Sequence, residues 1–404
     1  MKLSKVSQLV LVSMIGLLVA TLLTACQLVT IDYVFVAASA GTGAGSAGQI
    51  FTYNVDSQSG ALRTGKPPVS SGGSAPVALA VTSNYANLYV ANQGNNSVVH
   101  FTIADTGVLT KKDSITTGTT PVSLAVNPAN KYLYVLSGTS SGTLSEYSLG
   151  SDGSIGSMAA QTELIVPAFS SDTILPAGVT VLPNNNYVYV AAYDQSAYNP
   201  GGSISSTANP GWVFGYAVGT GGALTATTNS PYKAGVKPSG IAPDPTNRFV
   251  YVTDYASNHL IGYAIQTNGS LNFLVNGPFK TGNEPSAIVV DPRGTYIYLS
   301  NELDSSVTGY TISLPTGTPS ALVNSNASIV YATDTQPVSI TVDPALGRFV
   351  YTANRLGNSI SGFRLNPDTG VLSQTQATPY PTGAQPTALV SIPHGNHSVQ
   401  AVFP

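Results

Sequence analysis

The chain has one cysteine in 404 residues, four histidines and one tryptophan, and only 8% of it is charged, against roughly 25% in an average soluble protein. One cysteine excludes a disulfide framework and a thiolate metal centre. Of the histidines (His100, His259, His394 and His397), only His394 and His397 stand at a spacing that suits a metal ion. No third or fourth ligand accompanies them, so no metal is expected. Charge this sparse, combined with 43% hydrophobic residues, is the reverse of a disordered chain. Setting Lys2 and Lys5 aside leaves 13 basic against 18 acidic residues, a net charge of −5. Such a surface gives no basic footprint for nucleic acid. No nucleophile elbow occurs, and the one Gly-rich run, Gly41 to Gly48, joins two strands instead of opening a helix. No cofactor is implied.

Lys2 and Lys5 precede an uncharged apolar stretch from Leu9 to Leu23, which ends in Leu23-Thr24-Ala25-Cys26. This is the layout of a secretory signal, and its end resembles the lipobox of bacterial lipoproteins. That resemblance implies a signal peptide over residues 1–25, lipidation of Cys26, a tether over 26–32 and a protein exported to the cell envelope. Gln27 after the cysteine is compatible with the outer membrane. The competing reading is an uncleaved membrane helix, since the run approaches the ~17 residues that span a bilayer.

The rest of the chain is periodic. A unit beginning Pro-x-x-apolar recurs at Pro76, Pro121, Pro176, Pro238, Pro285 and Pro337, and each copy reaches an aromatic-Val pair or a close variant about thirteen residues later. These pairs fall at Phe35, Tyr89, Tyr134, Tyr189, Tyr251, Tyr298 and Tyr351, 45 to 62 residues apart. A second aromatic strand and a Leu-bearing segment follow. Asn127-Pro128, Asp244-Pro245, Asp291-Pro292 and Asp343-Pro344 supply turns between the first two strands. Four short strands per unit, repeated at this period, specify an all-β propeller over residues 33–404. The first copy lacks an opening strand, and a surplus copy near 386–392 supplies one. The two ends then share a blade and seven blades result. The tail Ser398 to Phe403 leaves an eight-bladed alternative open.

The repeats resemble the seven-bladed lactonase-like (6-phosphogluconolactonase-like) propellers and the related surface repeats named for Tyr-Val-Thr-Asn. Tyr298-LSNELDSSVTGY and Phe349-VYTANRLGNSISGFRLNPDTGVL carry the resemblance most sharply. It implies Glu302 and Arg355 as counterparts of a functional acid and a functional arginine. A carboxylate activates water, and a guanidinium holds an anionic oxygen. The resemblance breaks at the start of the first strands, where such enzymes place ionisable groups. Here the residues after each proline, such as Val77-Ala78, Ser239-Gly240 and Val338-Ser339, carry none.

One irregularity concerns the loop between the second and third strands of the fourth repeat. Asp194 to Trp212 is an insertion that holds the only Trp, and long loops on regular scaffolds often carry function. Tyr193, Tyr198 and Trp212 are expected to form a stacking surface, and Asp254 is a further candidate ligand. The repeated loop-start positions Asn92, Asp254, Asn301 and Asn354 also read as structural Asx turns. The expectation is a membrane-anchored protein that binds a glycan, a peptide or a small lactone on one face without catalysis. Lactone hydrolysis or isomerisation through Glu302 and Arg355 is the alternative, and a structural spacer is a third reading.

Overall fold

The computed structural model describes residues 29–39, 46–196, 198, 211–323 and 328–395. Cys26, His397, the Ser398–Phe403 tail, most of the Gly41–Gly48 run and most of the insertion lie outside the described residues. The described residues form seven antiparallel sheets and no α-helix. Each sheet is one blade of a ring, with its first strand at the axis. Seven blades therefore stand in place of the eight-bladed alternative.

Blade I is closed by both ends of the chain. Its first strand is Ala384–Pro393, its second Thr30–Ser39, and its third and fourth are Ala47–Asp56 and Leu62–Ser74. The second strand begins at Thr30, three residues earlier than expected, because Ile31 and Asp32 are already buried in the sheet. Blades II to VII open at Pro76, Pro121, Ile174, Pro238, Pro285 and Pro337. In blades IV to VII the fourth strand is broken into two short pieces, as in Leu224–Ala226 and Tyr232–Lys233, both pairing with the third strand.

The turns between first and second strands form for a local reason. Asp244 Oδ1 accepts the backbone N–H groups of Arg248 and Phe249, Asp291 Oδ1 those of Thr295 and Tyr296, and Asn127 Oδ1 those of Lys131 and Tyr132. Asp343 gathers four, from Leu346 to Phe349. The carboxyl group takes up donors that a buried turn would otherwise leave unpaired.

The core is divided into seven apolar clusters, and each straddles one junction between neighbouring blades. Two polar devices add to them. At five junctions the second-strand tyrosine donates its hydroxyl to the carbonyl of a glycine in the next blade's outer turn: Tyr89 to Gly153, Tyr189 to Gly269, Tyr251 to Gly317, Tyr298 to Gly370 and Tyr351 to Gly60. These glycines sit at φ of 68° to 85°, where a side chain would be strained. Near the axis, hydroxyls link one first strand to the next. Thr387, Ser239 and Ser286 donate to the carbonyls of Pro76, Pro285 and Pro337, while Ser123 and Ser339 accept from the N–H groups of Val179 and Leu389. The two sets are complementary. The junctions without a tyrosine bond, I–II (where Phe35 replaces Tyr) and III–IV, have an axial hydroxyl, and the junctions without a hydroxyl have the tyrosine.

Candidate active site at the channel mouth

The seven first strands enclose a central cavity of about 380 Å³, near the lower end of the range for small-molecule sites. Its wall consists of the residues that follow each proline, so the expected absence of ionisable groups there is what the structure presents. Gln93 and Arg355 are the lining residues that come from loops between second and third strands. They mark the mouth.

Ionisable groups reach the mouth from one residue upstream of the motif. The residue before the first-strand proline is Lys237 in blade V, Glu284 in VI and Gln336 in VII. Main-chain bonds fix this position. Its carbonyl accepts from the first residue of its own blade's loop: Tyr255 to Lys237 at 2.9 Å, Glu302 to Glu284 at 2.8 Å and Arg355 to Gln336 at 2.8 Å. Its N–H is held by the preceding blade in two of these cases, Glu284 by Asn258 Oδ1 and Gln336 by Ser305 Oγ. Glu284 and Gln336 adopt φ of 55° and 63°, an uncommon conformation for residues with a side chain. The result is three side-by-side pairs, Lys237 with Tyr255, Glu284 with Glu302, and Gln336 with Arg355.

Contacts between side chains join the pairs. Gln336 Nε2 donates to Glu302 Oε1 at 2.7 Å, and Arg355 Nη1 lies 3.8 Å from the same oxygen. Glu302 is 15% exposed in its side chain and Arg355 41%, so the acid is sheltered and the guanidinium remains open to a ligand. The Tyr255 hydroxyl donates to Glu284 Oε2 at 2.8 Å. Lys237 Nζ stands 3.9 Å from the ring centre of Tyr198, 4.0 Å from Tyr255 and 5.7 Å from Tyr193, all within cation–π range. Burial pushes the Lys237 ammonium below its ordinary value, while Glu302 and Glu284 oppose the shift. Burial raises the Tyr255 hydroxyl, and its bond to Glu284 adds to this. Tyr198 is raised by burial and then by the two glutamates.

The sequence-derived candidates divide. Glu302, Arg355, Tyr193 and Tyr198 meet at the mouth. Trp212 does not. It is 6% exposed, and its ring packs on Phe169 at 6.1 Å inside the III–IV core. The third strand starts at Trp212 itself, where it pairs with Ala192, so the indole lies on the face packed against blade III and offers no stacking surface. Asp254 is 1% exposed and accepts the N–H groups of Val236 and Lys237. It positions Lys237 and is closed to a ligand. Asn301 and Asn354 are buried too, but they donate to hydroxyls on the third strand, Ser306 and Thr308 or Ser359 and Ser361. Asn92 bonds Ser71 on the fourth strand of blade I. Their role is structural, though cross-strand bonds replace the Asx turns expected. His394 packs its ring 5.1 Å from Tyr33, and no metal-ligand cluster occurs among the described residues. Lys237, Glu284, Tyr255 and Gln336 escaped the sequence reading. Their signal was the run of polar residues before proline in three successive blades.

The model of the seven-bladed β-propeller lactonases matches residues 27–122, 50–168 and 103–399. The chain belongs to this lactonase family. Among solved structures, the lactonase-family propeller is similar to the periplasmic gluconolactonase of Pseudomonas aeruginosa, with 16% identity and a TM-score of 0.73 over 91% of this chain and all of that one. It is also similar to a putative 6-phosphogluconolactonase of Bacteroides uniformis, with 17% identity and a TM-score of 0.71 over 90% of this chain and all of the other. Hydrazine synthase of Kuenenia stuttgartiensis shares 16% identity at a TM-score of 0.54, over 78% and 88% of the two chains. At these identities the likeness is one of fold. No curated protein matches the lactonase-family chain. Among the described residues, no helix is long and apolar enough to cross a membrane.

Proposed function

We propose that the protein hydrolyses a small uncharged lactone at the channel mouth. The carrying observation is the convergence of Lys237, Glu284, Glu302 and Arg355, from three adjacent blades, over a cavity whose wall is otherwise free of ionisable groups. Glu302 takes a proton from water as its oxygen bonds the lactone carbonyl carbon. Arg355, the more exposed member of the pair, stabilises the oxyanion. The bond from that carbon to the ring oxygen then breaks, and Lys237 protonates the departing alkoxide, giving a hydroxy acid. The proton on Glu302 passes to solvent as Lys237 recovers one. Each cation at the mouth already faces a carboxylate, so an uncharged lactone fits better than a phosphorylated one. The similarity to a gluconolactonase and to a putative 6-phosphogluconolactonase supports this reaction class.

The test is to follow opening of glucono-1,5-lactone in a pH-stat, at a pH low enough to limit spontaneous hydrolysis. Turnover above the buffer blank is expected, with kcat reduced about 10²-fold or more in Glu302→Gln, the usual weight of a general base. Rates equal to the blank would overturn the reaction. One observation favours the second reading, binding of a glycan, peptide or lactone without turnover. Glu302 Oε1 already accepts from Gln336 and faces Arg355, as a purely structural pair would.

The reading extends to location. The lipobox-like end at Cys26 and the similarity to a periplasmic gluconolactonase support an exported, lipid-anchored protein. Metabolic labelling with an alkynyl palmitate analogue is expected to mark the wild type and leave Cys26→Ser unmarked. Equal labelling of the two would sink the anchor.

A further inference from the structure

We infer that the propeller rests on the bilayer through the face bearing its turns between first and second strands, so that the channel mouth opens away from the membrane. The inference rests on the Cys26 anchor proposed above. It is carried by the direction of one strand. In blade I the second strand pairs Asp32 with Pro393 and Ser39 with Ala384. Pro393 ends the first strand and Ala384 begins it. The chain therefore enters the ring at the edge where first strands end, the edge of the Asp-Pro and Asn-Pro turns. The mouth lies at the opposite edge.

Length decides whether the anchor can avoid this arrangement. Thr30 follows Cys26 by four residue steps, with only residues 27–29 between them, a reach of about 14 Å when fully extended. The six-residue second strands span roughly 20 Å from edge to edge, and the loops of the mouth stand beyond them. The tether is too short to climb the side of a blade and place the lipid beside the mouth.

The chemistry of the turn face agrees. Asp244, Asp291 and Asp343 lie in its turns, yet all three are buried with their carboxyl groups on backbone N–H groups. The exposed charges there include Lys131, Arg248, Arg348 and Arg364 against Asp105, Asp152 and Asp368, so exposed carboxylates do not predominate on this face although the chain is acidic. A bilayer of anionic headgroups meets no excess of like charge. A substrate arriving from the far side reaches the mouth without crossing the bilayer.

The experiment uses the full lipidated protein in vesicles of phosphatidylethanolamine and phosphatidylglycerol that contain a headgroup-attached nitroxide quencher. Cys26 is the chain's only cysteine and the lipid consumes it, so a thiol introduced elsewhere is unique. Ser151→Cys labels the turn face and Leu356→Cys the mouth side, both at exposed positions. A fluorescent maleimide is expected to lose more than half its intensity at position 151 and to change little at 356. Inserting thirty Gly-Ser residues after Gln27 should abolish the difference. Equal quenching at the two positions, or the reverse order, overturns the orientation. If the wild type fails to float with the vesicles and takes up no palmitate label, the anchor itself has failed and this inference falls with it.

Discussion

A chain ending at Thr382 is expected to lose cooperative folding altogether. The missing Ala384–Pro393 strand is the axial strand of blade I, and it pairs with Thr30–Ser39 along most of its length. Its Leu389 and Ile392 are 6% and 3% exposed and belong to clusters on both sides of that blade. Without them Phe35, Val34 and Val36, none of which is exposed in the ring, would face water beside an unpaired strand edge. Each large apolar side chain is worth about 1.5–3 kcal/mol on burial, so these five together are as large as the roughly 5–15 kcal/mol by which native proteins are stable. Differential scanning calorimetry should show no cooperative transition for the truncated chain, and most of it should aggregate. A sharp transition within a few degrees of the full-length midpoint would show that closure at the axis is dispensable.

Asp32→Asn, by contrast, is expected to stabilise the protein at neutral pH. Asp32 is wholly buried beside Asp343, and neither of its oxygens has a hydrogen bond of ordinary geometry. Burial, and then the Asp343 carboxylate, hold its carboxyl well above the ordinary 3.8, with the Ala345 amide opposing weakly. A carboxyl raised by folding binds its proton more tightly in the folded state than in the unfolded one. The stability it contributes is full below 3.8 and is lost as pH rises through the folded value. Asparagine keeps the shape of the protonated acid and cannot ionise. The melting midpoint of Asp32→Asn should exceed the wild type's by a few degrees at pH 7, and the gap should close toward pH 4. A gap that widened on acidification would contradict the assignment, since it would mean that the ionised form is favoured.

Much of this architecture was legible because each device repeats. The aromatic-Val pairs gave the blades, the Asp-Pro turns gave the first hairpins, and the unpaired repeat at Pro386 gave the closure. All of these depend on local chemistry that is the same in every copy. The site is legible only in part because it depends on what differs between copies. Glu302 and Arg355 follow a strand and stand out, whereas Lys237, Glu284 and Gln336 precede the motif. Nothing in the linear chain shows that the carbonyl of each is bonded to the next loop. Trp212 misleads for a related reason. Reading it as part of the insertion hid that Trp-Val-Phe-Gly-Tyr is already a strand buried on both faces, with the indole on the face packed against blade III.

A ring has no free end from which to fray, so its fluctuations must start at a seam, and at the III–IV junction the tyrosine bond is missing and only the axial Ser123 hydroxyl remains. Tyr134 finds no glycine carbonyl, and its hydroxyl and both oxygens of Glu146 are enclosed without a hydrogen bond of ordinary geometry. Burial pushes Glu146 up to about 7, with Tyr134 opposing, so its charge appears as pH rises through neutrality. Charge in that enclosure favours transient separation of the blades, and the stability lent by the proton disappears as pH passes through this value. Amide exchange in the strand Thr143–Leu149 should then outpace the matching strands of blades V to VII. The propeller would breathe beside the blade that carries its longest loop, and more readily on the alkaline side of neutrality.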